Sequence, residues 1–334
     1  MNLYNTSSVQ LYPSRITITN HYINNAITLP KTVQTYCDNF KAVKNPFIIS
    51  KASKKKIFDT VNSMYALSPP RKILMKNKNF LYNFRLSFIT LTLPSKQEHS
   101  DIEIKKQCLN QFLVEIRKHY GVQNYLWKAE LQKNKNIHFH LILDKYIDYQ
   151  ALRRRWNRCI SKLGYIAAYS NKFQNINLSQ YHAMRNLQAS CSFEKSKAAF
   201  AAGQRSKWSN PNSVDIRSVL GKRDLAIYLS KYIAKQTKSE DKTDAQLERE
   251  LSFGRSWSRS ESLSKLKYQN KLMLSEVLQE IKYLKNCTKF VKHVVGDFFE
   301  AFYFNISEMP LKFRNWLQFY LNANARLYQY PFPC

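Results

Sequence analysis

Two histidines, His138 and His140, lie one residue apart in the otherwise apolar run "IHFHLILD". Alternate side chains of a strand share a face, so both imidazoles are expected to project together and to be able to bind one divalent cation. If the preceding polar stretch "QKNKN" forms a hairpin turn symmetric about Asn134, Glu130 lies opposite His138 on the same face. The sequence therefore predicts a metal site formed by Glu130, His138 and His140, with positions open for water or a phosphate oxygen. The alternative is a pair of partly exposed strand histidines without a ligand.

A possible nucleophile lies further along the chain, in "YLSKYIAK". Tyr228 and Tyr232 are four residues apart, and each is followed three residues later by a lysine, Lys231 or Lys235. On a helix these side chains lie on one side, apart from the apolar stripe that would pack on a sheet. A phenolate can attack phosphorus, and a neighbouring ammonium favours the phenolate form. The segment predicts a helix with two nucleophilic tyrosines, and the alternative is an amphipathic helix whose tyrosines lie between core and solvent.

Together, three motifs resemble the HUH endonuclease superfamily. They are "TLTLP" at 90–94, "HFH" at 138–140 and "YLSKYIAK" at 228–235, in this order within residues 84–240. More narrowly, the chain is similar to the rolling-circle replication initiators of small single-stranded DNA phages of the Microviridae type and of related bacterial plasmids. The motif does not include an acidic metal ligand, so Glu130 comes only from the expected hairpin geometry.

The resemblance implies an RRM- or ferredoxin-like palm that holds Mg²⁺ or Mn²⁺ beneath a tyrosine-bearing helix. It implies an enzyme that nicks one strand of origin DNA, forms a 5′-phosphotyrosine link and later rejoins the strands. The implied partners are single-stranded or supercoiled origin DNA and a host helicase and polymerase. Two other readings stay open: a plasmid mobilisation relaxase or single-strand transposase of the same superfamily, and a non-catalytic single-stranded nucleic-acid-binding protein.

The charge of the chain also indicates a nucleic-acid partner. Fifty-three Lys and Arg against 23 Asp and Glu give a formal net charge of +30, far more than solubility requires. Tyrosines interleaved with lysines suit base stacking beside phosphate contacts, although codon bias alone would also produce this composition. The candidate DNA-binding residues are Arg153, Arg154, Arg155, Arg158, Arg255, Trp257 and Arg259. A solvated helix face and an ordinary loop are the alternatives for these two clusters.

The cellular location is predicted from what the sequence lacks. There is no apolar run of about 18 residues, no N-terminal signal pattern and no lipidation motif, so no membrane association is expected. The six cysteines are scattered, without a C-x-x-C pair, which favours a reducing cytoplasm. For a phage or plasmid protein this would be the bacterial host cytoplasm.

The elements that position these motifs follow from local patterns. "FRLSFITLTLP" predicts a buried strand, and Ser100 with Glu103 predicts a capped helix that ends at Gly121. Two hairpin strands, a helix that begins at Asp148, a strand in "NSVDIRSVLG" and the tyrosine helix follow. This order predicts an α+β fold with an antiparallel sheet and helices on one face. The expected segments are an appendage (1–80), an endonuclease domain (81–240) and a mainly helical C-terminal region (241–334).

Overall fold

The computed structural model of the chain describes residues 4–23, 47–68, 70–188, 191–221, 243–264, 270–297 and 299–321. The strands are β1 Tyr4–Tyr12, β2 Arg15–Ile23, β3 Arg71–Leu74, β4 Phe80–Phe84, β5 Leu86–Leu91, β6 Tyr125–Leu131, β7 Ile137–Leu143, β8 Val214–Val219, β9 Trp257–Arg259, β10 Asn270–Met273, β11 Val291–Gly296 and β12 Phe299–Phe304. The α-helices are α1 Lys51–Leu67, α2 Asp101–Ile104, α3 Asn110–Tyr120, α4 Tyr149–Ser161, α5 Tyr165–Gln174, α6 Leu178–Gln188, α7 Phe193–Arg205, α8 Asp244–Ser252, α9 Glu261–Ser264, α10 Leu278–Asn286 and α11 Leu311–Leu321. No helix in these ranges is long and apolar enough to cross a membrane.

The chain divides into two compact units. The first unit contains Met1–Asn45, Ser50–Pro69 and Ser260–Cys334, and the second contains Pro46–Ile49 and Pro70–Arg259. The second unit is built around a five-stranded antiparallel sheet with the strand order β8-β5-β7-β6-β9. One face of this sheet packs on helices α2 to α5, in a core that includes Phe112, Phe139 and Trp156. The predicted α+β class, with an antiparallel sheet, is confirmed.

The predicted helix after β5 forms between the expected residues. The Ser100 hydroxyl accepts a hydrogen bond from the Glu103 backbone N–H, and Gly121 ends the helix in the left-handed conformation with φ 64°. Between α2 and α3 the helix widens into a π-helical turn, Lys105–Leu109, which the apolar spacing did not indicate. The buried face includes Cys108, because this side of the helix packs on the sheet.

Strands β6 and β7 form the predicted hairpin. Leu131 pairs with Ile137, so the turn is centred on Asn134 as expected. Lys135 adopts a positive φ of 65°, and its backbone N–H donates to the Gln132 carbonyl. This turn fixes the register of the whole hairpin, including the pairing of Glu130 with His138.

The region that follows α4 has a helical structure that the sequence left unassigned. Helices α5 to α7 close over a small aromatic core of Tyr181, Phe200 and Trp208. Gly203 contributes directly, because a Cβ at this position would lie 2.2 Å from the Trp208 ring. The helical segment connects α4 to β8, the strand that pairs with β5.

The first unit joins segments from both ends of the chain in one antiparallel sheet with the strand order β10-β1-β2-β12-β11. Its core includes Leu11, Ile16 and Phe302 and is covered by side chains of α10 and α11. The predicted segments 1–80, 81–240 and 241–334 divide the chain differently from these units, because β2 pairs with β12 as well as with its neighbour in sequence. The described part of 241–334 contains four strands as well as helices.

Candidate active site

The three predicted metal ligands lie together on the face of the second-unit sheet that is opposite the helices. Glu130 on β6 is the direct partner of His138 on β7, and His140 lies two residues further along the same strand. Oε2 of Glu130 is 3.5 Å from Nε2 of His138 and 3.6 Å from Nε2 of His140. The two imidazole rings have centroids 4.4 Å apart. One carboxylate oxygen therefore faces both imidazoles.

This geometry fits a divalent cation. One ligand atom from each of the three residues lies within 4.8 Å of the other two, which is the spacing of donors around a single ion. Two imidazole nitrogens and one carboxylate suit Mn²⁺ and other first-row metals, whereas Mg²⁺ prefers a site with more oxygen ligands and water. The side chains are 13 to 19% exposed, so the site is open to solvent on one side.

The ionisation of the site favours metal binding. Burial alone would raise the pKa of Glu130, but hydrogen bonds with His138 and His140 and the Lys128 ammonium together lower it well below its usual range. Burial lowers the pKa of His140, and its contact with Glu130 only partly offsets this effect. An ionised carboxylate and a neutral imidazole are the forms that bind a metal.

Two side chains of β5 orient His140. The Thr90 hydroxyl lies 3.1 Å from Nδ1 of His140, and the two residues are direct partners across β5 and β7. The Phe88 ring stacks on the imidazole with a centroid distance of 5.8 Å and an angle of 25°. When Nδ1 carries the proton and donates to Thr90, Nε2 keeps its lone pair for a metal. The "TLTLP" motif contains Thr90, and strand periodicity would have identified its face.

Lys128 is another residue of the site that sequence reasoning missed. Its Nζ lies 2.5 Å from Oε1 of Glu130, and the side chain is only 6% exposed. Lys128 precedes Glu130 by two residues and is the direct partner of His140, so it belongs to the same face of the sheet. The "WKAE" spacing contained this signal, because residues two apart on a strand share a face.

A continuous row of side chains crosses the sheet at His140. Asp215 pairs with Thr90, Thr90 with His140, His140 with Lys128, and Lys128 with Trp257. Trp257 lies on the edge strand β9, within the segment "FGRSWSRS" that was predicted to form an edge strand or loop. The candidate stacking residue therefore lies on the same face as the metal ligands, two strands from His140.

The candidate DNA-binding residues of α4 have the following contacts. Arg155 and Arg158 form ion pairs with the buried Glu115, at 3.6 and 2.5 Å. Arg153 donates to the carbonyls of Asn210 and Pro211, before β8. These contacts hold α4 in place, and Arg154 is exposed.

Two arginines belong to the edge-strand segment. The Arg255 guanidinium lies 3.5 Å from the Ser258 hydroxyl, and Arg259 pairs with Leu126 of β6. Both belong to the strand and loop that carry Trp257. The predicted nucleophile helix, with Tyr228, Lys231, Tyr232 and Lys235, lies outside the described residues.

The comparisons with known proteins agree with this arrangement. A family model of replication-associated proteins, those of the ORF2 and gene-2-protein type, matches residues 86–237, a little under half of the chain. The matched segment contains the metal ligands, Thr90, Lys128 and the predicted tyrosine motif. No curated protein and no solved structure matches the chain. The family match confirms the resemblance to rolling-circle replication initiators and supports a role in DNA replication.

Proposed function

We propose that this chain, whose residues 86–237 match a family of replication-associated proteins, nicks one strand of origin DNA and starts rolling-circle replication. The observation that carries the proposal is the cluster of Glu130, His138 and His140 on an open sheet face. A Mg²⁺ or Mn²⁺ ion bound by these residues would polarise the scissile phosphate and stabilise the charge that develops on it. The row from His140 to Trp257 offers a surface along which a single strand can lie.

In the proposed reaction, the phenol oxygen of Tyr228 or Tyr232 attacks the scissile phosphorus and loses its proton. The bond from phosphorus to the 3′-oxygen of the preceding nucleotide breaks, and that oxygen leaves as a protonated 3′-hydroxyl. The 5′ phosphate stays linked to tyrosine, while the 3′-hydroxyl can prime DNA synthesis. Lys231 and Lys235 would favour the phenolate form of the attacking residue.

The second tyrosine gives the reaction a way to end. After one round of synthesis it can attack the regenerated origin, and the released 3′-hydroxyl then displaces the first tyrosine to rejoin the strand. Neighbouring nucleophiles on one helix face can alternate in this way without releasing either DNA end.

The first test uses the metal ligands. We expect His138→Ala and His140→Ala to abolish nicking of a supercoiled origin plasmid but to bind single-stranded DNA nearly as well as wild type. The reason is that the ligands act on the scissile phosphate rather than on affinity. The matched control is His119→Ala, because His119 is exposed at the end of α3. Undiminished nicking by the double variant in the presence of EDTA would refute the metal-assisted reaction.

The second test concerns the tyrosines. Each single variant, Tyr228→Phe or Tyr232→Phe, should still form a covalent adduct with a single-stranded origin oligonucleotide, and the double variant should form none. Peptide mass spectrometry of the wild-type adduct identifies the linked residue. DNA attached outside 228–232 would overturn the assignment of the nucleophile.

The same nicking chemistry on a plasmid transfer origin would make the chain a relaxase, and on transposon ends a transposase. Within the described residues the metal cluster contains two histidines and no third. A non-catalytic single-strand binder would use the same basic surface. Metal-dependent adduct formation separates the binder from the enzymes, and the preferred substrate separates the enzymes from one another.

A further inference from the structure

Lys128 occupies an unusual position beside the proposed metal site. Its ammonium contacts Oε1 of Glu130 at 2.5 Å, while Oε2 of the same carboxylate faces His138 and His140. A nearly buried ammonium stabilises this carboxylate, but it opposes any second cation that binds to it. The side chain therefore either orients the metal ligand or competes with the metal.

The charges decide between these two roles. A divalent cation held by Oε2 would lie within a few ångströms of the ammonium, and at partly buried sites such like-charge pairs repel strongly. Second-sphere orientation of a ligand improves metal affinity by only about ten- to a hundredfold. Repulsion by a neighbouring positive charge at this distance outweighs that gain, so competition is the stronger effect.

The sheet also places Lys128 where a nucleic-acid backbone would pass. Lys128 pairs with His140 on one side and with Trp257 on the other. Adjacent strands lie about 4.8 Å apart, so Trp257 and His140 are separated by about 10 Å with Lys128 between them. A strand with one base stacked on Trp257 and a phosphate beside His140 passes directly over the ammonium.

We propose, on the basis of the function proposed above, that Lys128 couples metal binding to DNA binding. In the free protein its ammonium competes with the divalent cation for Glu130. When a single strand binds, the ammonium moves to a phosphate oxygen and the carboxylate becomes fully available to the metal. DNA then tightens metal binding, and by linkage the metal tightens binding of the strand by the same factor.

The experiment is a titration of the full-length chain with Mn²⁺, followed by electron paramagnetic resonance of the free ion. It is run with and without a thymidine oligonucleotide, which has no origin sequence to cleave. The test variant is Lys128→Met, which keeps the length of the side chain without its charge. The matched control is Lys133→Met, because Lys133 is exposed on the turn of the same hairpin.

Without DNA, Lys128→Met should bind Mn²⁺ at least tenfold more tightly than wild type and Lys133→Met. The oligonucleotide should tighten binding at least tenfold in wild type and have little effect in Lys128→Met. Lys128→Gln, a polar neutral replacement that can still donate to Glu130, should change affinity in the same direction and serves if the Met variant does not fold.

Equal or weaker Mn²⁺ binding by both neutral variants would overturn this proposal and would leave Lys128 as a residue that orients Glu130. Failure of wild type and of all variants to bind Mn²⁺, with or without DNA, would instead overturn the proposed metal site. Binding by wild type that the oligonucleotide does not change would also contradict the coupling.

Discussion

The Thr90→Val substitution tests how the sheet prepares His140 for a metal. The Thr90 hydroxyl lies 3.1 Å from Nδ1 of His140, and valine keeps the shape of threonine without the hydroxyl. Without this contact, the imidazole can rotate or place its proton on Nε2, the nitrogen that faces Glu130. We expect weaker metal binding with little change in fold.

The size of the effect follows from two contacts. Loss of a hydrogen-bond partner behind a metal-bound histidine costs about ten- to a hundredfold in metal affinity. Stacking by Phe88 still restrains the ring of His140, at a centroid distance of 5.8 Å. We therefore expect the lower end of the range, a loss of about tenfold, which corresponds to about 1.4 kcal/mol.

The assay is Mn²⁺ titration of the purified chain, with nicking measured at saturating metal as a second readout. Thr92→Val is the matched control, because the Thr92 hydroxyl donates to the Ser213 carbonyl at 3.2 Å rather than to a histidine. Thr90→Val should lower metal affinity, and saturating metal should restore most of the nicking rate. Equal Mn²⁺ affinity in Thr90→Val and Thr92→Val would refute the role assigned to this hydroxyl.

Three further predictions concern stability and binding. Burial opposes ionisation of Glu115, but hydrogen bonds from Arg158 and Gln111 outweigh burial and lower its pKa, so Glu115 should stabilise the fold above about pH 4.5 and lose this effect as the pH falls further; the melting-temperature difference between wild type and Glu115→Gln should shrink below that pH. Arg249→Ala leaves the buried Asp101 carboxylate without its ion pair at 2.7 Å and should cost about 3 kcal/mol in a urea titration, whereas the exposed Arg255→Ala should cost under about 0.5 kcal/mol. If about six Lys and Arg neutralise phosphates of a single strand, the slope of log affinity against log salt should be roughly −4, and a flat response would contradict phosphate binding.

The metal site could be predicted because its residues are close in sequence. Glu130, His138 and His140 belong to one hairpin, and a symmetric turn is sufficient to place them on one face. Ser100 and Gly121 marked the ends of a helix for the same reason, since capping depends on residues within one turn. Local rules were therefore adequate for the ligands and for the helix boundaries.

The residues that support the ligands depend on pairing between distant strands. Thr90 contacts His140 only because β5 lies next to β7 in this register, and a shift of one residue would turn its side chain to the other face. Lys128 was on the correct face of a predicted strand, but its pairing with Glu130 rather than with solvent depends on burial. Neither burial nor strand order follows from local patterns.

The predicted DNA-binding arginines show a related difficulty. A run of arginines on a helix has the same composition whether it faces a phosphate or an internal carboxylate. Glu115, the partner of Arg155 and Arg158, lies on a separate helix, α3, and helix packing brings it to α4. That these arginines also contact DNA stays a prediction, which the salt titration and individual substitutions address.

The strand order of the first unit has a consequence for how the protein is made. Strands β1 and β2 leave the ribosome first, but β2 acquires its second neighbour only when β12 (Phe299–Phe304) has been synthesised. At translation rates of about 5–20 residues per second, the N-terminal hairpin waits for tens of seconds with an unpaired edge. During this interval the sheet of the second unit, whose strands all lie between Leu86 and Arg259, is complete and can fold. Chains released early would combine a folded second unit with an open β-edge, which is a typical starting point for aggregation or for capture by a chaperone.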